Sequence, residues 1–519
     1  MSASAGRVLI IPRGDYNSAA TYNMLDMVYY GGKSYICKQT STGNVPTNTV
    51  YWQIMLDGAS ALNDLTDVNI TDPQNGDGIA YNATTHKWEN TTPVGITITS
   101  PPATTDYSDG DILDLTGMVV MAEYSTGQTR NITTECTFSP ANGSTLTTAN
   151  TSVSVSWREF TATQAISVSA PIYGVEWDGS SSPAWTRTDL AVGFADPVPY
   201  YAGMTDTPSS PFDNISPWKD MQIVEDADAG TLVSIPKFYY KLSQSTPGSG
   251  MKIQISMNEL DGFHVSPAHM DRGDGVGERD VVYVGRYHCV NSNSKSASGQ
   301  YPKVNEPRAN MRSTIHSRGT DIWQWDFATR FTIWLLYLVE FAHWNSQDKI
   351  GYGCGNNSSY SDNGYTDSMP YHTGTTQSSR TTYGLGTQYR NIEGLWDNVF
   401  DWLDGGYYDS YGLNIILNPA NFDDYSRGTP VEIPTNGNPS QFTIKDINGL
   451  FPIFIPTESN GSDSTYSCDY WGFSVSVPCL YVGGSYRQGQ VRGMFFTHCN
   501  SASNYGTDYG CRLMKLPSA

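Results

Sequence analysis

The stretch Ile392-Glu-Gly-Leu-Trp-Asp-Asn-Val-Phe-Asp-Trp402 places two tryptophans in a run of small, acidic and apolar residues. Further along come Tyr481-Val-Gly-Gly-Ser-Tyr486 and a closing Gly510-Cys-Arg-Leu513. Paired glycines at 483 and 484 permit a tight backbone approach, and Trp396 and Trp402 can fill a core that is short of aliphatic residues. These are structural jobs, so the three segments are first of all the frame of one fold. Upstream, Leu232-Val-Ser-Ile-Pro-Lys-Phe-Tyr239 reads as a strand.

Composition bounds what that fold belongs to. The 519 residues exceed a single core, and 38% hydrophobic against 16% charged residues, with 34 Tyr and 49 Gly, predicts a multidomain, mainly β protein with some α. A net charge of -21 repels phosphate backbones and anionic lipid, which excludes nucleic acid as a partner. The apolar run Phe331 to Val339 is about half of what a bilayer requires, so membrane insertion is not expected and the run reads as a buried helix. Met1 to Gly6 lacks a basic region before a long apolar one, which predicts synthesis in the cytoplasm without a leader. Eight cysteines show no CxxC and no zinc spacing, so no structural metal is expected; Cys468 with Cys479, or Cys499 with Cys511, can pair, although small buried thiols are the simpler reading.

The chain reads as four modules. Residues 1–57 carry short strand signals at Arg7 to Ile11, Met27 to Tyr30, Ser34 to Lys38 and Tyr51 to Met55, with a Gly31-Gly32 turn. Their tyrosines and Trp52 resemble small aromatic modules of chitinases and phage tail fibres, but in so small a module they serve as core more readily than as a sugar platform. Residues 58–92, rich in Asp, Asn, Thr and Gly, place Leu62, Leu65, Val68, Ile70, Ile79, Tyr81 and Trp88 too sparsely to bury much in one chain. This stretch resembles a tail-fibre stalk motif, which implies a homotrimer; a flexible acidic linker is the alternative. Residues 93–170 alternate in strands at Gly95 to Thr99, Val119 to Tyr124, Val153 to Trp157 and Ala165 to Val168, a sandwich pattern; within them Tyr107-Ser-Asp-Gly-Asp-Ile-Leu-Asp-Leu-Thr-Gly-Met-Val-Val120, followed by Ala122 to Gln128, resembles bacterial Ig-like repeats, which implies a spacer. Residues 171–519 hold a helix from about Trp325 to Trp344, with Phe327, Phe331, Trp334, Leu335, Leu338 and Phe341 at helical spacing.

The three quoted segments, taken in order, resemble the C-type-lectin-like fold of the formylglycine-generating enzyme family, whose corresponding segments read G-N-V-W-E-W, R-G-G-S-W and G-F-R. In those enzymes a reactive cysteine pair follows the second segment. Here Tyr486-Arg-Gln-Gly-Gln-Val-Arg492 stands there without cysteine, so that chemistry is not expected, nor any cofactor. GxSxG, HExxH, P-loop and GxGxxG signatures are also missing.

The same fold without the cysteines is characteristic of variable proteins of diversity-generating retroelements, which include phage tropism determinants. That resemblance makes Gly483, Gly484, Ser485, Gly493, Phe495, Ala502, Ser503, Gly510, Arg512 and Leu513 a fixed frame. It makes Tyr486, Arg487, Gln488, Gln490, Val491, Arg492, Phe496, His498, Asn500, Tyr505, Thr507 and Tyr509 the ligand-binding set. Tyr and Arg cover much area at small entropic cost, which suits recognition. Ordinary loop and strand residues of an unvaried domain fit the same pattern.

Two other groups of residues carry less. Asp271 to Asp280, with His264 and His269, offers oxygens on a Gly-rich loop but misses the EF-hand spacing, which favours a solvated turn over calcium. Asp397, Asp401 and Asp404 lie inside the fold motif, which favours structural roles over glycosidase chemistry. The resulting expectation is a non-enzymatic phage tail receptor-binding protein in the virion. It would attach to other tail proteins through its N-terminal module and bind a host cell-surface protein or glycan. A polysaccharide-degrading tail enzyme and a bacterial surface-displayed lectin are the alternatives.

Overall fold

The structure is a computed structural model. It describes residues 9–56, 65–71, 77–245, 250–353, 357–425, 430–433, 436–447, 449–474, 476–488 and 492–517. Strands dominate and helix is the minority. The chain divides into two compact units, Met1–Ser169 and Ala170–Ala519. Among the described residues no helix is long and apolar enough to cross a membrane.

In the first unit, strands Ile11–Asp15, Asp26–Tyr30, Lys33–Cys37 and Trp52–Leu56 form one sheet in that order. Gly31 and Gly32 have φ of 56° and 77°, the positive values a tight two-residue hairpin requires, and Tyr30 faces Lys33 across it. Of the expected strand Arg7 to Ile11, Arg7 and Val8 lie outside the described residues and Leu9 and Ile10 are not strand; Ile11 and Pro12 pair in parallel with Asp26 and Met27, a contact that local pattern does not encode. Tyr22, Val28, Tyr35, Cys37 and Trp52 are the buried core, so these rings of the module pack inward.

Strands Val68–Asn69, Lys87–Thr91 and Gly78–Asn82 make a small sheet that leaves Leu65, Ile79, Tyr81 and Trp88 exposed. Leu62 lies outside the described residues. Two three-stranded sheets follow, Pro93–Ser100 with Val119–Tyr124 and Thr129–Asn131, and Thr137–Ser139 with Ser152–Trp157 and Phe160–Ala165. Every second residue of the central strands points inward (Val120, Ala122 and Tyr124 from one, Val153, Val155 and Trp157 from the other), and all six join one core.

The second unit is built around the helix Phe327–Phe341, whose fifteen residues are all buried. The spacing of its large residues suggests one apolar face, but sheets and loops enclose the helix on every side. Asp326 caps it by accepting from the Thr329 amide, and Ala342 ends it at φ 48°. Trp334 on this helix donates its indole N–H to the Met494 carbonyl at 2.9 Å, and Arg330 donates to the carbonyls of Leu395 and Met494. The helix thereby ties the first quoted segment to the chain just after the second.

One five-stranded sheet runs Ile223–Asp226, Gly230–Pro236, Val281–Gly285, Leu513–Lys515, Ile322–Gln324, so the last strand is inserted between earlier ones. A second sheet is centred on the long strand Phe400–Asp409, flanked by Gly412–Ile415 and Cys479–Val482, with Thr497–Asn500 and Trp471–Gly472 beyond, and with Tyr509–Cys511 added in parallel to Phe400–Trp402. The chain therefore leaves one sheet at Cys511 and enters the other at Leu513. Arg512 sits at the switch.

Candidate binding face

The three segments that read as a frame meet in space. Trp402 pairs with Tyr481 and with Cys511, and Asp401 with Val482 and Gly510. Gly483 has φ 77°, and a Cβ there would stand 2.5 Å from the Leu395 carbonyl oxygen. At Gly484 a Cβ would stand 2.3 Å from that of Trp396. Only glycine lets those backbones touch.

Arg512, with no exposed surface, closes the junction. It donates to the carbonyls of Gly285 (2.8 Å), Arg286 (3.0 Å), Glu393 (2.7 Å) and Gly394 (3.3 Å), and to Asp401 at 3.3 Å. Burial alone would raise the Asp401 carboxyl, but His288 and Arg512 beside it outweigh burial and hold it below its ordinary range. Asp397 accepts from the Tyr365 hydroxyl at 2.6 Å and from the Thr387 amide at 2.9 Å, and Asp404 forks onto Arg312 at 2.6 and 2.8 Å. All three carboxylates are thus held by neighbours inside the frame, one oxygen of Asp401 being buried without a hydrogen bond.

Asp469 supports the frame from below. Burial pushes its carboxyl up to about 7, against the N–H groups of Gly493 and Phe495 that favour the ionised form. A Cβ on Gly493 would stand 2.8 Å from both oxygens of this carboxyl. Ser485, Phe495 and Leu513 are buried as frame residues should be, while Ser503 is exposed and Ala502 half-buried.

The ligand-binding set divides. Phe496 has no exposed surface, and Tyr486 is buried, its hydroxyl 2.9 Å from that of Thr507; both are corrected to core, because each ring turns under its neighbours. Gln490 and Val491 lie outside the described residues. Arg487, Tyr505 and Thr507 are exposed, and Gln488, Arg492, His498, Asn500 and Tyr509 are half-buried. Arg487 lies over the Tyr486 ring at 5.1 Å. Asn500 donates to the Tyr509 hydroxyl at 2.8 Å, and the Tyr509 ring stacks on Trp402 at 5.0 Å.

Arg492 lies 4.1 Å over the Phe496 ring and 5.8 Å from Tyr470, and its Nε donates to Gln488 Oε1 at 3.3 Å. Burial lowers its pKa, and burial together with the charge of Arg492 keeps His498 neutral more strongly than an ordinary histidine.

Three tyrosines join the face without having been expected there. Tyr470 stacks on His498 at 18° and 5.9 Å. Exposed Tyr301 packs edge-on to Tyr360 at 5.6 Å, and Tyr360 tilts onto Tyr486 at 6.1 Å. Only the fold brings these distant positions together.

The other candidate groups disperse. His269 is buried between Ser266 and the Ile235 carbonyl, Asp274 pairs with Arg279 at 2.6 Å, and Asp280 with Lys237 at 2.8 Å. Among the described residues no three His, Cys, Asp or Glu side chains gather as metal ligands would. Cys468, Cys479, Cys499 and Cys511 are free and buried, so neither Cys468 with Cys479 nor Cys499 with Cys511 is bonded: Cys499 lies opposite Leu480, and the Cys511 thiol beside that of Cys289.

No family model and no curated protein matches the chain. Among solved structures, that described as the structure of PvdO from Pseudomonas aeruginosa is similar at 10% identity, over 57% of this chain and 99% of that one, with a TM-score of 0.25. That likeness is too distant to assign a fold.

Proposed function

We propose that this chain is a receptor-binding protein of a phage tail, a virion component that adheres to a bacterial surface protein or glycan without chemically altering it. The second unit is the lectin-like binding domain in this reading. One observation carries the reading: among the described residues of 487–509, Arg, Tyr, Thr, Asn and His side chains stand exposed or half-buried while Gly483, Gly484, Gly493, Gly510, Phe495 and Arg512 around them are locked inside. A face so divided tolerates exchange of its outer residues without loss of fold, and its residue types are those that dominate recognition hot spots.

The first unit supplies attachment to other tail proteins, an Ig-like spacer at 93–170 and a trimeric stalk at 58–92. The exposure of Leu65, Ile79, Tyr81 and Trp88 in that stretch supports self-association, which would multiply weak contacts into firm adhesion.

The test is fluorescently labelled full-length protein incubated with a panel of bacterial strains, with the chain length of their capsular polysaccharide followed in parallel. Saturable binding to some strains with polysaccharide length unchanged is the expected result. Shortened chains would identify an enzyme instead, and absence of binding to every strain would overturn adhesion.

A further inference from the structure

Arg492 is a cation that the protein only partly satisfies. Its side chain is half-buried, and a single hydrogen bond, from Nε to Gln488, is its one contact with a protein acceptor among the described residues. No carboxylate among them lies within ion-pairing distance of it, in a chain whose acidic residues outnumber its basic ones by 51 to 30. The outer nitrogens of the guanidinium, which form the fork that matches a carboxylate, therefore have no acceptor in this set. Partial burial of the side chain strengthens the attraction of those nitrogens for an arriving anion.

The surroundings specify more than charge. The guanidinium carbon lies 4.1 Å over the centre of the Phe496 ring, and the half-buried rings of Tyr470 and His498 are stacked nearly parallel beside it. Asn500, two residues beyond His498 on the strand Thr497–Asn500, and the Tyr509 hydroxyl, which interacts electrostatically with Arg492, are bonded to one another and supply amide and hydroxyl groups. Aromatic faces accept the C–H face of a pyranose, and amide and hydroxyl groups pair with its hydroxyl rim, whereas a flexible acidic peptide has no such C–H face to lay on the rings.

We propose that Arg492, Tyr470, His498, Asn500 and Tyr509 form a subsite for a sugar that bears a carboxylate, such as a uronic acid unit of a surface polysaccharide. This rests on the adhesion reading and narrows its ligand. The carboxylate forks onto the outer nitrogens of Arg492 while the ring lies on Tyr470 and His498.

The experiment is isothermal titration of the full chain with D-glucuronate, D-glucose and the dipeptide Glu-Glu, repeated on Arg492→Lys and Tyr470→Ala, with melting temperature measured for each variant. Glucuronate is expected to bind at least about tenfold more tightly than either other probe, and Arg492→Lys, which keeps the stem and charge but loses the fork, to weaken it by about tenfold with melting unchanged. Tyr470→Ala, at a half-exposed ring, weakens glucuronate likewise and gives a second reading should Arg492→Lys fail to fold. Equal binding of glucose and glucuronate, or undiminished glucuronate affinity in both folded variants, overturns the subsite, and Glu-Glu binding as tightly as glucuronate overturns the sugar assignment. Cell binding is scored separately: adhesion without glucuronate affinity defeats only the subsite, and glucuronate affinity without adhesion defeats only the adhesin reading.

Discussion

Arg512 and Arg492 lie close together in the chain and face opposite fates. Arg512 is enclosed and donates to four carbonyls and a carboxylate drawn from two separate segments, Gly285-Arg286 and Ile392–Trp402. Arg492 has one protein acceptor among the described residues and rests on rings at the surface. The same residue type is thus a bolt in one place and an open hand in the other. What separates the two roles is the number of neighbours that converge on each site from other parts of the chain, which residue type does not reveal.

The difference is sharpest in stability. Arg512→Ala leaves Asp401 and four carbonyls buried without their donor, and should cost about 3–5 kcal/mol in denaturant unfolding of the second unit. Arg512→Lys should cost nearly as much, since one ammonium cannot reach both strands. A loss below about 1 kcal/mol would break the contrast between the two arginines.

Gly484→Ala tests the frame without touching charge. Its Cβ would press on the Trp396 carbonyl oxygen at 2.3 Å and on that of Arg492 at 2.9 Å, both backbone atoms, and about 1–3 kcal/mol of stability should be lost. Recovery of wild-type melting would mean that the two segments do not pack as described.

Asp469 gives a subtler effect through pH. Its carboxyl is raised from 3.8 to about 7 in the folded protein, so the native state holds a proton that the unfolded chain releases between those values. Stability from this group is therefore greatest below about pH 4 and declines as pH rises to about 7, while Asp469→Asn, which does not titrate, lacks the decline. The advantage of wild type over Asp469→Asn, measured by urea unfolding at pH 5, 6, 7 and 8, should shrink with each step up to 7 and then level off.

Much of the frame was legible because it rests on local rules. Val119–Tyr124 alternates with period two, Gly31-Gly32 sits where a two-residue turn needs positive φ, and the large residues of Phe327–Phe341 recur at helical spacing. The glycines and tryptophans of the three motifs carried their packing in their residue types. The face was legible only in part. Tyr486 and Phe496 have the chemistry of contact residues, but the direction in which a ring turns depends on Thr507, Phe400 and Tyr481, supplied by other elements. Tyr301, Tyr360 and Tyr470 were missed for the converse reason, since nothing near Tyr360 or Tyr470 in the chain signals Tyr486 or His498, against which they fold. Cys511 approaches Cys289 through a backbone hydrogen bond, from the Cys289 N–H to the Cys511 carbonyl at 2.8 Å, that spacing does not disclose.

The most direct test of the central claim, that residues of the last strands divide into frame and face, is to measure cell binding and melting together on the double variant Arg487→Ala/Tyr505→Ala. Both side chains are exposed, so truncation should change stability by no more than about 0.5 kcal/mol. The account predicts loss of binding to every strain that wild type recognises, with unchanged melting temperature. Full binding by a variant that melts like wild type would contradict it and place the recognition surface elsewhere on the molecule.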